Sequence, residues 1–550
     1  MSLQAQEPSL IPEETAHLAR TISPTGTLYM QIRDQLGQIY EDQSFADLFS
    51  HCGQPAEIPW RLALVCVFQF IEDLTDRQAA EAVRQRIDWK YALGLQLTDL
   101  GFHFSVLSKF RARLLAGKAE IRLFERLLEQ LKTQGLMKVR GCQRTDSTHV
   151  LAAVRVLNRL ERVGETLRHA LNSVAEIAPD WLCAQTPPQW YDRYSSRMEN
   201  YHFPKDEAAR QALGATMGED GFTFLGAIEA AIDLPWLGKA PAVEILRQVW
   251  AEQYTTPPGP ILFREKKDLD SSADLIVSPY DTEARFSIKR GMEWIGYKVH
   301  FTETCDEEYP HLITHVETTH AAVPDEQVLP SIHEALAHQD LLPEMHVVDA
   351  GYTDAAGLVG SQRDYAVTLL GPVAADASWQ TKAGKGFNKE SFVVDWQAQT
   401  VTCPAGKQSL SWLPCTESAK LAAIHVRFSR KDCSPCPLRS QCTRAKIEPR
   451  ELMLQSQEQY EALHTMRQRQ TTAEFREHYA IRAGVEATHA QGLQRSGLRQ
   501  TRYIGQAKTH LQHILTAIAL NLVRLVAWVA QASPTKPRIS RFAALKLHAA

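Results

Sequence analysis

No strong charge of either sign runs through this chain. Its 550 residues carry a formal net charge of −4, which excludes a general polycation that coats nucleic acid by bulk attraction. Any contact with a polyanion must then come from basic residues gathered locally. The amino-terminal MSLQAQEPSLIPEETAHLAR has neither the basic start nor the apolar run of a secretory leader. Long uninterrupted apolar runs are missing as well. The most apolar stretch, Leu511 to Gln531, contains Gln512, His513, Asn521 and Arg524, so it reads as a buried or partner-facing helix, and no membrane partner is expected. Neither a Gly-x-x-x-x-Gly-Lys-Ser/Thr loop nor a His-Glu-x-x-His motif occurs (AGKGFNK has the wrong spacing), so nothing suggests nucleotide hydrolysis. Internal repeats and low-complexity tracts are absent. Ten cysteines, four of them clustered, suit metal binding in a reducing compartment better than a disulfide frame, and a cytoplasmic location is expected.

What is present is ordinary in bulk, with 44% hydrophobic and 23% charged residues, and long enough for roughly three or four domains. Residues 1–135 read as helical. In SVLSKFRARLLA, Val106, Leu107, Phe110 and Leu114 form one apolar side, while Ser108, Lys109, Arg111 and Arg113 lie away from it. Two helices, a turn and a basic exposed face fit a helix-turn-helix DNA reader, with Lys109 and Arg111 as contacts. An ordinary solvated face competes with that reading.

From Leu136 the pattern changes. MKVRGCQRTDSTHV reads as a strand leading to Asp146. Residues 152–281 read as a helical insertion broken at Pro187-Pro188 and Pro257-Pro258, with no catalytic motif. EWIGYKVHFTET and LITHVETT alternate like paired strands. Pro324 and Asp325 open a helix to about His338, and Met345–Val348 is a short strand delivering Asp349. Tyr365–Leu370 is a further strand. Residues 372–470 form a second insertion with strands and the cysteines, and helical chain from 471 to 532 carries Glu486. Residues 533–550 form a basic tail. The three separated pieces 136–151, 282–371 and 471–532 then make one α/β core.

The stretch YAIRAGVEATHAQGLQRSGLRQTRYIGQAK, from Tyr479 to Lys508, holds the densest signal. Read as one helix, it places Tyr479, Arg482, Glu486 and Leu493 on a narrow face. Gly484 costs ~1 kcal/mol in a helix relative to Ala, which is tolerable where something large approaches the backbone. Past Glu486 come Arg495, Arg499, Arg502 and Lys508 without another acid, a distribution suited to a metal ion that meets a polyanion.

The spacing Tyr-x-x-Arg-x-x-x-Glu, together with the Asp146 and Asp349 motifs and EARFSIKRGMEWIGYKVHFTET, resembles bacterial insertion-sequence transposases of the DDE type. The resemblance implies a ribonuclease-H-like catalytic core, a helical DNA-binding domain at the amino terminus, and Asp146, Asp349 and Glu486 as catalytic ligands of two Mg²⁺ (or Mn²⁺) ions. It implies DNA cleavage and strand transfer on double-stranded DNA, at the element's terminal inverted repeats and at target DNA, by a DNA-bound homodimer. Tyr479 and Arg482 become candidate phosphate contacts, joined by Arg495, Arg499, Arg502 and Lys508. The resembled signature ends in Lys, where this chain has Leu493. That departure keeps open a domesticated, inactive DNA-binding protein, and a metal-dependent nuclease without joining is a further alternative. Lys298 is a lesser phosphate candidate, and Trp379 either stacks on an unpaired base or anchors the insertion.

Cys403, Cys433, Cys436 and Cys442 give a Cys-Pro turn, a Cys-x-x-Cys pair and a fourth thiol. Such a set suits one structural Zn²⁺ held by four thiolates at ~2.3 Å, and similar sets recur in the resembled family. Reduced cytosolic thiols are the competing reading, an iron–sulfur cluster is a third, and Cys415 is a substitute ligand.

Overall fold

The computed structural model describes residues 2–3, 10–255, 259–271, 273–289, 291–384, 386–416 and 422–532. The basic tail from Ser533 and the Pro257-Pro258 break lie outside the described residues.

The chain is a mixed α/β protein organised by a central sheet. Its strands are β1 (Cys142–Leu151), β2 (Arg285–Lys289), β3 (Met292–Thr304), β4 (Ile313–His320), β5 (Met345–Val348) and β6 (Thr368–Leu370). β1 lies between β3, to which it is antiparallel, and β5, to which it is parallel; β6 continues parallel beyond β5. From Gln143 to Thr148, β1 is buried on both sides without alternation, the pattern of a strand covered on both faces. The long β3 changes partner midway. Its first residues pair with β2 and the rest, from Tyr297, with β4. Gly296 sits at the change with φ +150, and a Cβ there would lie 2.2 Å from the Val150 carbonyl oxygen, so only glycine lets the two strands close.

Helices enclose this sheet. The long helix Gln506–Val529 packs on β4 and on the helix Pro59–Ile71. By length and composition Gln506–Val529 is apolar enough to cross a membrane, but most of it is buried inside the fold. Its polar residues have interior tasks. Asn521 Nδ2 donates to the Ile313 carbonyl at 2.8 Å, and the Ile313 amide donates back to Asn521 Oδ1 at 2.7 Å. The side chain thus serves backbone groups at the start of β4, which would cost free energy if buried without partners. His513 Nδ1 and Thr318 Oγ1 are 2.8 Å apart on the same contact. One continuous apolar core joins Trp60, Phe68 and Trp89 of the amino-terminal helices to Tyr297, Phe301 and Val347 of the sheet and Ile514 and Ile518 of the long helix.

Arg111 is the clearest departure from expectation in the amino-terminal helices. It was expected on the exposed face of Ser105–Ala116 but is only 6% exposed. Its guanidinium pairs with Asp76 at 2.6 Å and lies over the Tyr503 ring. The neighbouring helix Asp76–Gln85 supplies the acid that makes burial tolerable. Lys109 remains exposed.

Both insertions have cores of their own. Residues around Leu160, Trp190, Phe224, Leu246 and Trp250 form the helical one. The other carries β7 (Val393–Asp395) paired with β8 (Thr400–Thr402), and a three-stranded sheet of β9 (Ser409–Thr416), β10 (Ala422–Phe428) and β11 (Glu451–Leu454). Phe392, Val401, Val426 and Phe428 make its small core, and Arg444 stacks 4.5 Å over Trp379.

In the helix Glu207–Ala230, glycines open a track for three rings. A Cβ on Gly214, Gly218 or Gly221 would lie 2.6, 2.4 or 2.2 Å from Phe263, Tyr254 or Trp250. Gly218→Ala should therefore destabilise the helical lobe by about 1–3 kcal/mol, as overpacking does. Gly226, on the same helix, has nothing within 4 Å of its Cβ position, and Gly226→Ala should be neutral or stabilising by up to ~1 kcal/mol. Thermal melts of the two variants check this; equal melting temperatures would contradict the steric account.

Candidate active site

Register brings the two aspartates together. Parallel β1 and β5 align Thr145 with Val348, so the next residues, Asp146 and Asp349, lie side by side on strands about 4.8 Å apart. Asp146 is 8% exposed, and its Oδ1 accepts from the Ser147 amide at 2.8 Å. Asp349 Oδ1 accepts from the Gly351 amide at 2.8 Å, and Thr353 Oγ1 donates to the Asp349 carbonyl at 3.0 Å. Burial pushes the Asp146 carboxyl up to about 6; Arg482 pulls it down and Asp349 adds to the rise.

Glu486 arrives on a different element. The single helix expected through Tyr479 and Glu486 is in fact two, Ala473–Ala480 and Ala483–Ser496, broken at Ile481 and Arg482. Both residues keep right-handed helical dihedrals, so the interruption is a tightened turn, and Arg482 on it reaches the carboxylates. One guanidinium nitrogen donates to Asp146 Oδ2 at 2.7 Å and the other to Glu486 Oε1 at 3.3 Å. Glu486 itself keeps 67% of its side chain exposed. Tyr479 stacks on Phe475, ring centroids 5.4 Å apart, and burial pushes its phenol up.

Gly484 answers the question its position posed. A Cβ there would meet the Arg144 guanidinium at 2.2 Å, so the large group approaching this backbone is a side chain of the same chain. Arg144 donates to the Ile481 carbonyl at 2.6 Å and pairs with Glu303 at 2.7 Å. Glu303 also accepts from Arg524 at 2.8 Å and from Thr488 Oγ1 at 2.5 Å.

Three other charged groups lie in this neighbourhood, and one of them, Lys298, is read from sequence as a phosphate candidate or a solvated strand lysine. Asp325, read as a helix opener, is 8% exposed and accepts from Lys298 Nζ at 2.6 Å and Ser147 Oγ at 3.0 Å. It occupies a short turn, Asp325–Gln327, ahead of the helix Leu329–His338. Lys298 is therefore an ion-paired interior lysine, and half-exposed Lys289 lies 4.0 Å from Asp325. Of the basic run, Arg495, Arg499 and Lys508 are exposed. Arg502 is engaged elsewhere: it pairs with Asp73, donates to the Leu74 carbonyl at 2.8 Å and lies over Phe70. Leu493 is 37% exposed.

Asp146 and Asp349 offer hard oxygen donors, the type that Mg²⁺ accepts from one or two carboxylates while keeping waters and substrate oxygens. The third carboxylate stands across Arg482 from them. Among the described residues, no group of three or more His, Cys, Asp or Glu side chains is arranged to hold a metal ion. Cys403, Cys433, Cys436 and Cys442 line one cavity with Phe387, Phe428 and Arg450. Burial pushes the Cys442 thiol up, Arg450 opposes, and the other three thiols add to the rise.

Two family models match the chain. A Transposase DDE domain covers residues 402–526, and a Transposase domain (DUF772) covers residues 20–113. The first match includes the four clustered cysteines and Glu486. No curated protein and no solved structure matches the chain.

The raised Asp146 carboxyl has a consequence for stability. Its folded value lies above the unfolded one, so ionisation costs stability as pH climbs from about 4 through about 6 and the cost persists above that. Asp146→Asn should raise the melting temperature at pH 8 by a few degrees, with the gain shrinking as pH falls below 6. Melts from pH 4.5 to 8 check the sign. A variant less stable at pH 8 than at pH 5, relative to wild type, would contradict the burial argument.

Proposed function

We propose that this chain, classed with the insertion-sequence DDE transposases by its two family matches, cleaves DNA at the ends of its element and joins the freed ends to target DNA. The observation that carries the reading is the pairing of Asp146, in the middle of β1, with Asp349, just past the end of the adjacent parallel β5, with Glu486 one guanidinium away. The sheet supports a ribonuclease-H-like core: an antiparallel β1–β3–β4 set, with β5 and β6 added parallel to β1 on the other side.

On this reading Asp146, Asp349 and Glu486 hold two Mg²⁺ or Mn²⁺ ions. When bound, these ions supply charge stabilisation for the attacking and leaving oxygens of an in-line displacement at phosphorus. Arg482 orients the Asp146 and Glu486 carboxylates until DNA arrives. It then offers its planar fork to a phosphate near the scissile bond. The Tyr479 hydroxyl adds a neutral donor. Exposed Arg495, Arg499 and Lys508 track the backbone, and Lys109 contributes from the amino-terminal helices. Two copies bring two element ends together as a homodimer.

The test is cleavage of element-end duplex and joining of a pre-cut, 3′-hydroxyl-ended duplex. Wild type should do both with Mg²⁺, and Asp349→Ala should lose both by at least ~10³-fold, the scale seen when an electrostatic catalytic group is removed, while still binding DNA. Cleavage without joining would identify a nuclease, and binding with neither would identify an inactive DNA-binding descendant.

One structural Zn²⁺ on Cys403, Cys433, Cys436 and Cys442 is a further part of the proposal; what supports it is that all four residues line one cavity. Metal analysis should find about one zinc per chain, as a Cys₄ site takes. That zinc should be lost in Cys433→Ser/Cys436→Ser together with selective melting of residues 400–450. Zinc-free wild type with this lobe ordered would refute the site.

A further inference from the structure

Asp325 shares its surroundings with the two aspartates more closely than Glu486 does. Gly351 shows this. A Cβ placed on it would lie 3.0 Å from Asp349 Oδ1 and 3.2 Å from Asp325 Oδ2. The same Asp325 oxygen accepts from Ser147, the residue after Asp146. Behind them Tyr352 is completely buried, its hydroxyl 2.5 Å from His300 Nδ1, and its phenol faces the charges of Asp325, Asp146 and Asp349 together. Lys298, on β3, closes the arrangement from the other side at 2.6 Å.

Asp325 is thus tied to both strands that carry the candidate ligands. Toward β1 it holds Ser147; toward β5 it packs against the turn at Gly351 that receives the Asp349 carboxylate. Its charge is neutralised by Lys298, which makes it a poor metal ligand. Removing its carboxylate would free Ser147 and leave space beside Gly351, so both ligand carboxylates would gain freedom. Side chains that hold metal ligands in place are worth about 10–100-fold in metal affinity.

We propose that Asp325, buttressed by Lys298, is a positioning residue that fixes the separation of the Asp146 and Asp349 carboxylates and so sets the affinity for the divalent cation. The inference rests on the metal-site reading of Asp146 and Asp349 given above.

The experiment titrates the full chain with Mn²⁺, following the free-ion electron paramagnetic resonance signal. Thermal melting and binding to duplex DNA are measured on the same samples. Asp325→Ala should melt cooperatively and bind DNA as wild type does, yet bind Mn²⁺ about tenfold more weakly. Asp325→Asn keeps the shape and can still bond Ser147, and should recover at least half of that loss on a logarithmic scale. A folded Asp325→Ala with wild-type Mn²⁺ affinity would overturn the proposal, and so would an Asn variant no better than Ala. If Asp325→Ala does not fold, Ser147→Ala carries the comparison: a several-fold loss of affinity supports the proposal and wild-type affinity overturns it. Asp349→Ala distinguishes the two levels of argument. If it binds Mn²⁺ as wild type does, the metal-site reading fails; if it alone loses binding, only the role of Asp325 fails.

Discussion

A single buried carboxylate sets the geometry of the candidate site. Glu303 has no exposed surface and lies between Arg144 of β1, Arg524 of the long helix and Thr488 of the helix that carries Glu486. Burial alone would push its carboxyl up, but Arg524 and Arg144 hold it below the usual range. An ion cluster taken out of water is costly unless every member is paired and hydrogen-bonded, and these partners satisfy that condition only in one arrangement. The consequence reaches the site in two steps. Arg144, fixed by Glu303, takes the Ile481 carbonyl and needs Gly484 for room. Around that contact the helical chain tightens at Ile481 and Arg482, and Arg482 pairs with Asp146.

The amino-terminal helices are part of the same construction. The Ser496 hydroxyl, at the end of the Glu486 helix, donates to the Phe70 carbonyl at 2.7 Å. Arg502 takes the Leu74 carbonyl just beyond the same amino-terminal helix. Carbonyls at a helix carboxyl end lack partners within their own helix, and Ser496 supplies one to Phe70, while the Leu74 carbonyl takes Arg502 beside Gln69 Nε2. Arg502 therefore has a structural role that a reading of local charge density could not separate from the exposed Arg499 and Lys508.

Local pattern made much of this legible. The strand delivering Asp349 followed from a short apolar run ending in an acid, whereas the strand expected to lead to Asp146 runs on past it to Leu151, leaving Asp146 in its middle. The buried character of Gln506–Val529 was readable from its interior Gln, His and Asn, whose partners the fold supplies. Long-range pairing was not legible. Arg111 looked like a surface cation because its acid, Asp76, lies on another helix. Asp325 looked like a helix opener because Lys298 and Ser147 are distant in sequence. The tightened turn at Ile481 and Arg482 was not legible either, and the Ile481 carbonyl there accepts from Arg144, more than three hundred residues upstream. Gly484 was the one local trace of that contact, and its cost was read correctly as room for an approaching group without revealing which group.

The central claim is that Asp146, Asp349 and Glu486 converge on divalent cations once Arg482 has a phosphate to bind. The most direct measurement is a structure of the chain with Mn²⁺ and a pre-cut element-end duplex, using anomalous scattering to place the metal. The account predicts Mn²⁺ density between Asp146 and Asp349, Glu486 drawn within ligand distance, and the Arg482 guanidinium moved from Asp146 to a DNA phosphate. Arg482 still bridging Asp146 and Glu486, with the cations bound elsewhere, would contradict it.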